Sequence, residues 1–329
     1  MTDRRTTYAV LLASTLFLAF QWAVVGLLAA QVLMVVLFLL LFFAHSASRR
    51  LALALLPFVV FEVCYDWMRL FPNYMVRPID VCGLYEAEVA LFGIAAPGGA
   101  HETLCEYFAR HTTPAADLIA GLCYLCWVPG PMAVGLWLYF TGHRRAYLHF
   151  ALSFLVVNWL GFAIYYVHPA APPWYVMQHG FDPIVGTQGS AAGLSRFDEL
   201  VGVPVFSSIY VNNSNIFAAL PSLHAAYMLV ATIYARHTLR SPSRRRLLRW
   251  AGIALCAAVT MGIWWAAVYT AHHYVIDVLL GIATAVAGVG LFECLLMRIP
   301  VVRRGVDRYL ALVAQSPCPP GEHERLPKQ

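Results

Sequence analysis

Polar residues are scarce enough in this chain to act as punctuation. Long apolar runs alternate with short polar breaks, and eight runs reach the length of a membrane crossing: 8–25, 27–46, 51–71, 115–140, 147–167, 218–236, 250–268 and 275–296. About 20 apolar residues in a helix cover the ~30 Å hydrocarbon core of a bilayer. The expected fold is therefore an all-α integral membrane protein of about eight transmembrane helices. Residues 7–46 form one continuous apolar stretch, too long for a single crossing, which predicts a tight hairpin near Trp22–Gly26. A composition of 60% hydrophobic and 12% charged residues, with mean hydropathy +0.67, excludes a soluble domain.

Charge placement sets the sidedness. With the hairpin in place, Arg4-Arg5, Arg49-Arg50, Arg144-Arg145, the cluster Arg240 to Arg249 and the cluster Arg298 to Arg304 all fall on one side, the cytoplasmic side by the positive-inside rule. Both termini are then cytoplasmic, and the segments 72–114 and 168–217 are outside. The N-terminal apolar run continues far past the length of a signal-peptide core and lacks a cleavage site, so no separable signal peptide is expected. The net charge of +5 suits anionic headgroups beside cytoplasmic loops and calls for no nucleic acid.

No spacer or fixed repeat divides the chain. It reads as a transmembrane hairpin over 1–50, a membrane core over 51–300 and a cytoplasmic tail over 301–329, poorly ordered from Gly305 on. Val81–Ile94 has helical apolar spacing with Glu86 and Glu88 interposed, and predicts an interfacial helix on the outer face. Most cysteines lie in or near spans as packing groups, including Cys123 and Cys126. Cys82 and Cys105 fall outside, where a disulfide between them would persist. Asn212-Asn213-Ser214 is a glycosylation sequon on the same side.

Two polar clusters carry chemistry: Pro221-Ser222-Leu223-His224, and His273-Tyr274-Val275-Ile276-Asp277. His273 and Asp277 are four residues apart, so on a helix they share a face and the carboxylate orients the imidazole. The topology puts His224 and His273 at the outer ends of their spans, facing one compartment. One histidine to attack phosphorus and a second to handle the leaving group's proton are the minimum for transfer through a phosphohistidine. Zinc held by His224, His273 and Asp277 is disfavoured, since the carboxylate is better placed to orient a nucleophile than to complete a coordination sphere.

These segments, in order and spacing, resemble the second and third motifs of the type 2 phosphatidic acid phosphatase superfamily. Ala171-Pro172-Pro173-Trp174-Tyr175 and the Tyr65-Asp66-x-x-Arg69 pattern resemble its inositol phosphorylceramide synthase branch. The resemblance covers roughly residues 60–300 and implies a six-helix superfamily core. It makes His273 the nucleophile, Asp277 its orienting carboxylate and His224 the acid–base partner. It also implies phosphate binding by Arg77, Arg69 and Ser222, and substrate contact by Trp174, Tyr175 and Asp66, with no cofactor and no metal. The donor would be phosphatidylinositol and the acceptor ceramide or dihydroceramide. The site would face away from the cytoplasm, in a bacterial inner membrane or a eukaryotic Golgi-type membrane.

The chain also departs from the superfamily pattern. A lysine expected seven residues before Arg77 is Leu70, and an arginine expected six residues before His273 is Ala267. The site is thus lighter in cations, which favours a phosphodiester donor over a phosphomonoester. Each residue has a plainer reading beside this one. His272, His168 and His179 read as interfacial polar residues, Arg77 and Arg69 can anchor a span end by snorkelling, and Asp66 can simply pair Arg69. Trp174 and Tyr175 fit an aromatic belt. Two other functions use the same residues: a lipid phosphate phosphatase with water as acceptor, and a lipid transporter. The spans carry few further charges, Glu62 and Glu293 near helix ends, which weighs against transport.

Overall fold

The computed structural model describes residues 4–211, 213, 215–237 and 246–314. Its contacts divide into two compact units, residues 57–298 and a smaller one formed by residues 1–56 with 299–329. In the smaller unit α1 (Arg4–Val24) and α2 (Ala29–Ala44) pair across a short break, and α3 (Ser46–Trp67) begins there. The break falls at the expected hairpin, where Gly26 takes φ +88, a conformation open to a residue without Cβ.

The larger unit holds the rest of α3 beyond Pro57. Next come α4 (Cys82–Phe92), a two-residue hairpin of β1 (Ile94–Ala95) and β2 (His101–Glu102), and α5 (Leu104–Arg110). Six helices supply the frame, three on either side of a connecting segment of short helices. Before it stand α6 (Pro114–Leu125), α7 (Pro129–Phe140) and α8 (Arg144–Val167). The short α9 (Pro173–His179), α10 (Ser195–Val201) and α11 (Val205–Tyr210) form the segment itself. Then follow α12 (Leu223–Ala235), α13 (Arg246–Tyr269) and α14 (Val275–Gly290), which continues as a π turn and a 3₁₀ turn to Arg298. Back in the smaller unit, α15 (Pro300–Val313) is amphipathic, and the Tyr309 hydroxyl donates to the Leu53 carbonyl at 2.6 Å. Residues 305–313, expected in a poorly ordered tail, are therefore helical because one face is apolar.

Every predicted span coincides with a helix or helix pair. Among the described residues, four helices, α1, α8, α13 and α14 with its continuation, are long and apolar enough to cross a membrane alone, and α6 with α7 makes a fifth candidate bent by 46°. The 16-residue α2 and 13-residue α12 are apolar but shorter than a full crossing. Prolines at the start of both α6 and α7 explain why residues 115–140 break instead of running straight.

α12 packs on α7, α8, α13 and α14, and α14 also packs along α8. That approach depends on small residues: Gly281, Thr284, Ala285 and Gly288 form the buried stripe of α14. At Gly281 a Cβ would lie 2.1 Å from the Ser222 carbonyl oxygen, so only glycine lets α14 close onto the start of α12. The long segments between the helices are not loose lids. Residues 80, 170 and 218 pair side by side as short parallel bridges. The buried Asn73 amide donates to the carbonyls of Tyr165 and Phe217, at 2.9 and 2.8 Å. These links tie the first long segment to the chain entering α12.

Candidate active site

Local capping puts the two motifs where they meet. Ser222 is the N-cap of α12, its Oγ accepting the Ala225 N–H at 3.3 Å, which leaves His224 in the first turn. Asp277 sits in the first turn of α14, and its Oδ2 accepts the Tyr274 N–H at 2.9 Å. The motifs are joined through the backbone as well, because the Ser222 N–H donates to the Asp277 carbonyl at 2.9 Å.

The side chains complete a relay. His224 Nδ1 lies 3.0 Å from His273 Nε2, and His273 Nδ1 lies 3.4 Å from Asp277 Oδ2. His273 and Asp277 are buried and His224 is partly so, with the Trp127 ring edge-on to it at 4.5 Å. A single acceptor, the Ala267 carbonyl, takes the N–H groups of both His272 and His273 at 3.0 Å. This is possible because Ala271 turns the chain through the left-handed region at φ +58. Burial pushes His273 down from 6.5 to about 4, against the opposing effect of the Ala219 backbone carbonyl, which accepts from the ring. The ring is thus neutral near pH 7.

Two residues support the relay without being legible as site residues in the sequence. Glu88 of α4, fully buried, accepts the N–H groups of Val275 and Ile276 at 2.9 and 3.0 Å. It caps the helix that carries Asp277, directly after His273. Burial raises its pKa, and the two N–H bonds oppose that rise. α4 is where the sequence places it, but one of its two central carboxylates faces inward. The second residue, Cys105, donates its buried thiol to the His273 carbonyl at 3.4 Å. Cys82 is exposed and its free thiol donates to Glu86 at 3.2 Å, so the disulfide considered from sequence is not formed.

The other expected site residues fare differently. Ser222 is fully buried beside Asp277, and its hydroxyl hydrogen remains free to donate although Oγ serves as a cap. Arg69 and Asp66 hold each other, Nη2 to Oδ1 at 2.5 Å, which is the plainer of the two readings given for Asp66. Arg77 is exposed, and no hydrogen bond or ion pair links its guanidinium to the histidines. Trp174 and Tyr175 are buried, not a belt, and the Tyr175 hydroxyl is committed, donating to the Asp182 carbonyl at 2.7 Å and accepting the Ile184 N–H at 2.6 Å. Trp174 does line a cleft of about 250 Å³ together with Gln178, Arg196, Tyr269 and Thr270. Arg196, absent from the sequence reading, bonds Asp117 through Nε at 2.7 Å while its Nη2 is buried without a partner. The glycosylation sequon lies outside the described residues except for Asn213, whose side-chain oxygen accepts the Tyr65 hydroxyl at 2.7 Å. Among the described residues, no three His, Cys, Asp or Glu side chains converge as a metal site.

The profile of the PAP2 superfamily matches residues 95–291, a stretch that contains both histidine motifs. The chain belongs to that superfamily. It is 52% identical over 309 residues to the phosphoinositol dihydroceramide synthase of Bacteroides thetaiotaomicron, covering 94% of this chain and 98% of that one. The inositol phosphorylceramide synthase of Candida albicans is 29% identical over 66% of this chain and 44% of its own length. The catalytic subunit of that synthase in Saccharomyces cerevisiae is 28% identical over 73% of this chain and 56% of its own length. No solved structure matches the chain. As a PAP2 protein with several apolar helices, it is a multi-pass membrane protein.

Proposed function

We propose that this PAP2 protein transfers phosphoinositol from phosphatidylinositol to the primary hydroxyl of ceramide or dihydroceramide. The observation that carries the reading is the end-to-end match, at 52% identity, to a phosphoinositol dihydroceramide synthase. The relay supplies a chemical course for it. With its proton on Nδ1 beside Asp277, His273 presents the Nε2 lone pair to phosphorus. The Nε2–P bond forms as the bond from phosphorus to the diacylglycerol oxygen breaks, and His224 gives that oxygen a proton. In the second half His224 takes the proton of the acceptor hydroxyl, its oxygen bonds to phosphorus, and the P–N bond breaks.

One phosphodiester replaces another, so no nucleotide is consumed. Selection of a lipid alcohol over water needs a site from which bulk water is excluded. The burial of His273, Asp277 and Ser222 supports that requirement. The basic clusters and the span order support an outer location for the relay, on the non-cytoplasmic side. The deciding assay supplies inositol-labelled phosphatidylinositol to purified protein with and without ceramide. Labelled ceramide product, formed only with ceramide present, is expected. Inositol phosphate released equally in both arms would establish a lipid phosphatase instead.

A further inference from the structure

Buried polar atoms cluster beside the relay, and none is used by the transfer chemistry described above. The Tyr124 hydroxyl on α6 and the Tyr210 hydroxyl on α11 are buried against each other, and with the buried Nε2 of His272 they have hydrogen-bonding capacity left over. Their rings form a continuous wall. Tyr124 lies 5.2 Å from the His224 ring and 5.3 Å from the His272 ring, and Tyr210 lies 4.5 Å from His272. Native interiors rarely leave such capacity unfilled, still less next to a histidine pair.

The hydrogen-bonding sense of each atom narrows the ligand. His272 Nδ1 sits 3.2 Å from the Thr270 carbonyl, an acceptor, so that nitrogen carries the proton. Nε2 then offers a lone pair, and burial keeps the ring neutral by holding its pKa well below the usual histidine value. The two tyrosine hydroxyls face each other. If one donates to the other, one O–H is still left over. The wall therefore offers at least one donor and one strong acceptor. A phosphate, which only accepts, would be repelled by the Nε2 lone pair. A hydroxyl group satisfies both, since it gives and receives.

From this we infer that Tyr124, Tyr210 and His272 form the subsite that holds the hydroxyl-rich ring of the donor's headgroup while its phosphorus meets His273. The inference rests on the phosphoinositol reading above. The hydroxyls of the acceptor lipid share the same chemistry, so the test separates the two sources. Tyr124→Phe, Tyr210→Phe and His272→Asn are assayed as purified full-length protein in mixed micelles. Donor and acceptor KM are measured separately, together with the preference for phosphatidylinositol over phosphatidylglycerol, whose headgroup has fewer hydroxyls. Each tyrosine variant keeps its ring, so packing against the histidines is preserved. A rise of about tenfold in donor KM, an unchanged acceptor KM and a narrowed headgroup preference are expected. A purely structural role would not move the preference. Wild-type transfer with normal donor KM and preference in both tyrosine variants overturns the subsite and leaves the function standing. A rise confined to acceptor KM also overturns it, by assigning the wall to the acceptor. Wild-type protein that moves no phosphoinositol overturns both.

Discussion

The helix that carries the relay ends in a second histidine–carboxylate pair, and the two pairs have opposite characters. At its start, His273 and Asp277 are separated by 3.4 Å, and His273 Nδ1 and Asp277 Oδ1 lack hydrogen bonds. Beyond its end, His149 of α8 contacts Glu293 at 2.9 Å, and the same Glu293 oxygen also accepts the Tyr234 hydroxyl at 2.6 Å. Tyr234 is bonded in turn to Ser153 at 2.7 Å. The Glu293 pair is tighter, its carboxylate oxygen is doubly bonded although His149 Nε2 is buried without a partner, and the pair clasps α8, α12 and the end of α14 together. The Asp277 pair is looser, and the second imidazole touches its histidine directly. A histidine–carboxylate contact thus says little about catalysis by itself. What separates the two pairs is the second imidazole against His273 and the unpartnered oxygen of Asp277.

Substitution at the histidines should break the comparison most sharply. His273→Asn is expected to reduce transfer by about four orders of magnitude or to background, because the nucleophile is gone. His149→Asn should keep turnover within about threefold while lowering thermal stability. Equal losses in the two variants, with both folded by size-exclusion profile, would erase the distinction.

The carboxylates should repeat the contrast on a smaller scale. Asp277→Asn leaves the backbone contact to Ser222 intact but removes the charge that orients His273, so a fall of about two to three decades in kcat is expected. Glu293→Gln should shift Tm and leave kcat nearly unchanged.

A pH series follows from His273. Its folded pKa of about 4 lies below the ordinary 6.5. The ring therefore contributes stability above pH 6.5 that is lost as pH falls toward 4, where the folded ring protonates as well. The acid limb of kcat/KM assigned to this residue should lie well under pH 6. A limb at 6.5, abolished by no change at His224, would mean that the relay is solvated.

Glu88→Ala uncaps α14 and leaves two N–H groups unpaired, each worth about 1–3 kcal/mol when buried. About a tenfold loss of kcat with a modest change in donor KM is expected, and Glu88→Gln, which keeps one acceptor oxygen, should recover part of it. The smallest effect is reserved for Arg77→Lys. An exposed arginine with no contact to the histidines should tolerate lysine within about twofold, and a hundredfold loss would restore Arg77 as a phosphate ligand.

The parts of this molecule that could be read from sequence are those set by local spacing. Helix periodicity brings Asp277 under His273, a serine N-cap places His224, and apolar run length locates the helices. The parts that could not are set by convergence of distant segments. Glu88 reaches Val275 across 187 residues of chain. His272, taken as an interfacial residue, is instead packed against Tyr210 and Tyr124, whose positions depend on how α11 and α6 fold inward. Arg69 and Arg77 were read by motif and by charge, but burial and pairing decide what a cation does. Tyr175 illustrates the same limit, since its hydroxyl turned out to staple the neighbouring loop.

The left-handed residue before the histidines has a consequence for how the sequence can vary. Ala271 is buried, and its carbonyl receives the Trp174 N–H at 2.9 Å, so neither its side chain nor its peptide has room to rearrange. In a saturation library at this codon, glycine is the replacement the backbone accepts most readily, because it alone adopts φ +58 without steric penalty. Valine, isoleucine and threonine should be purged first, although position 271 takes no part in the chemistry. The turn thus imposes its own selection on a residue with no titratable or nucleophilic group, and a screen would register that position as essential for reasons of backbone geometry.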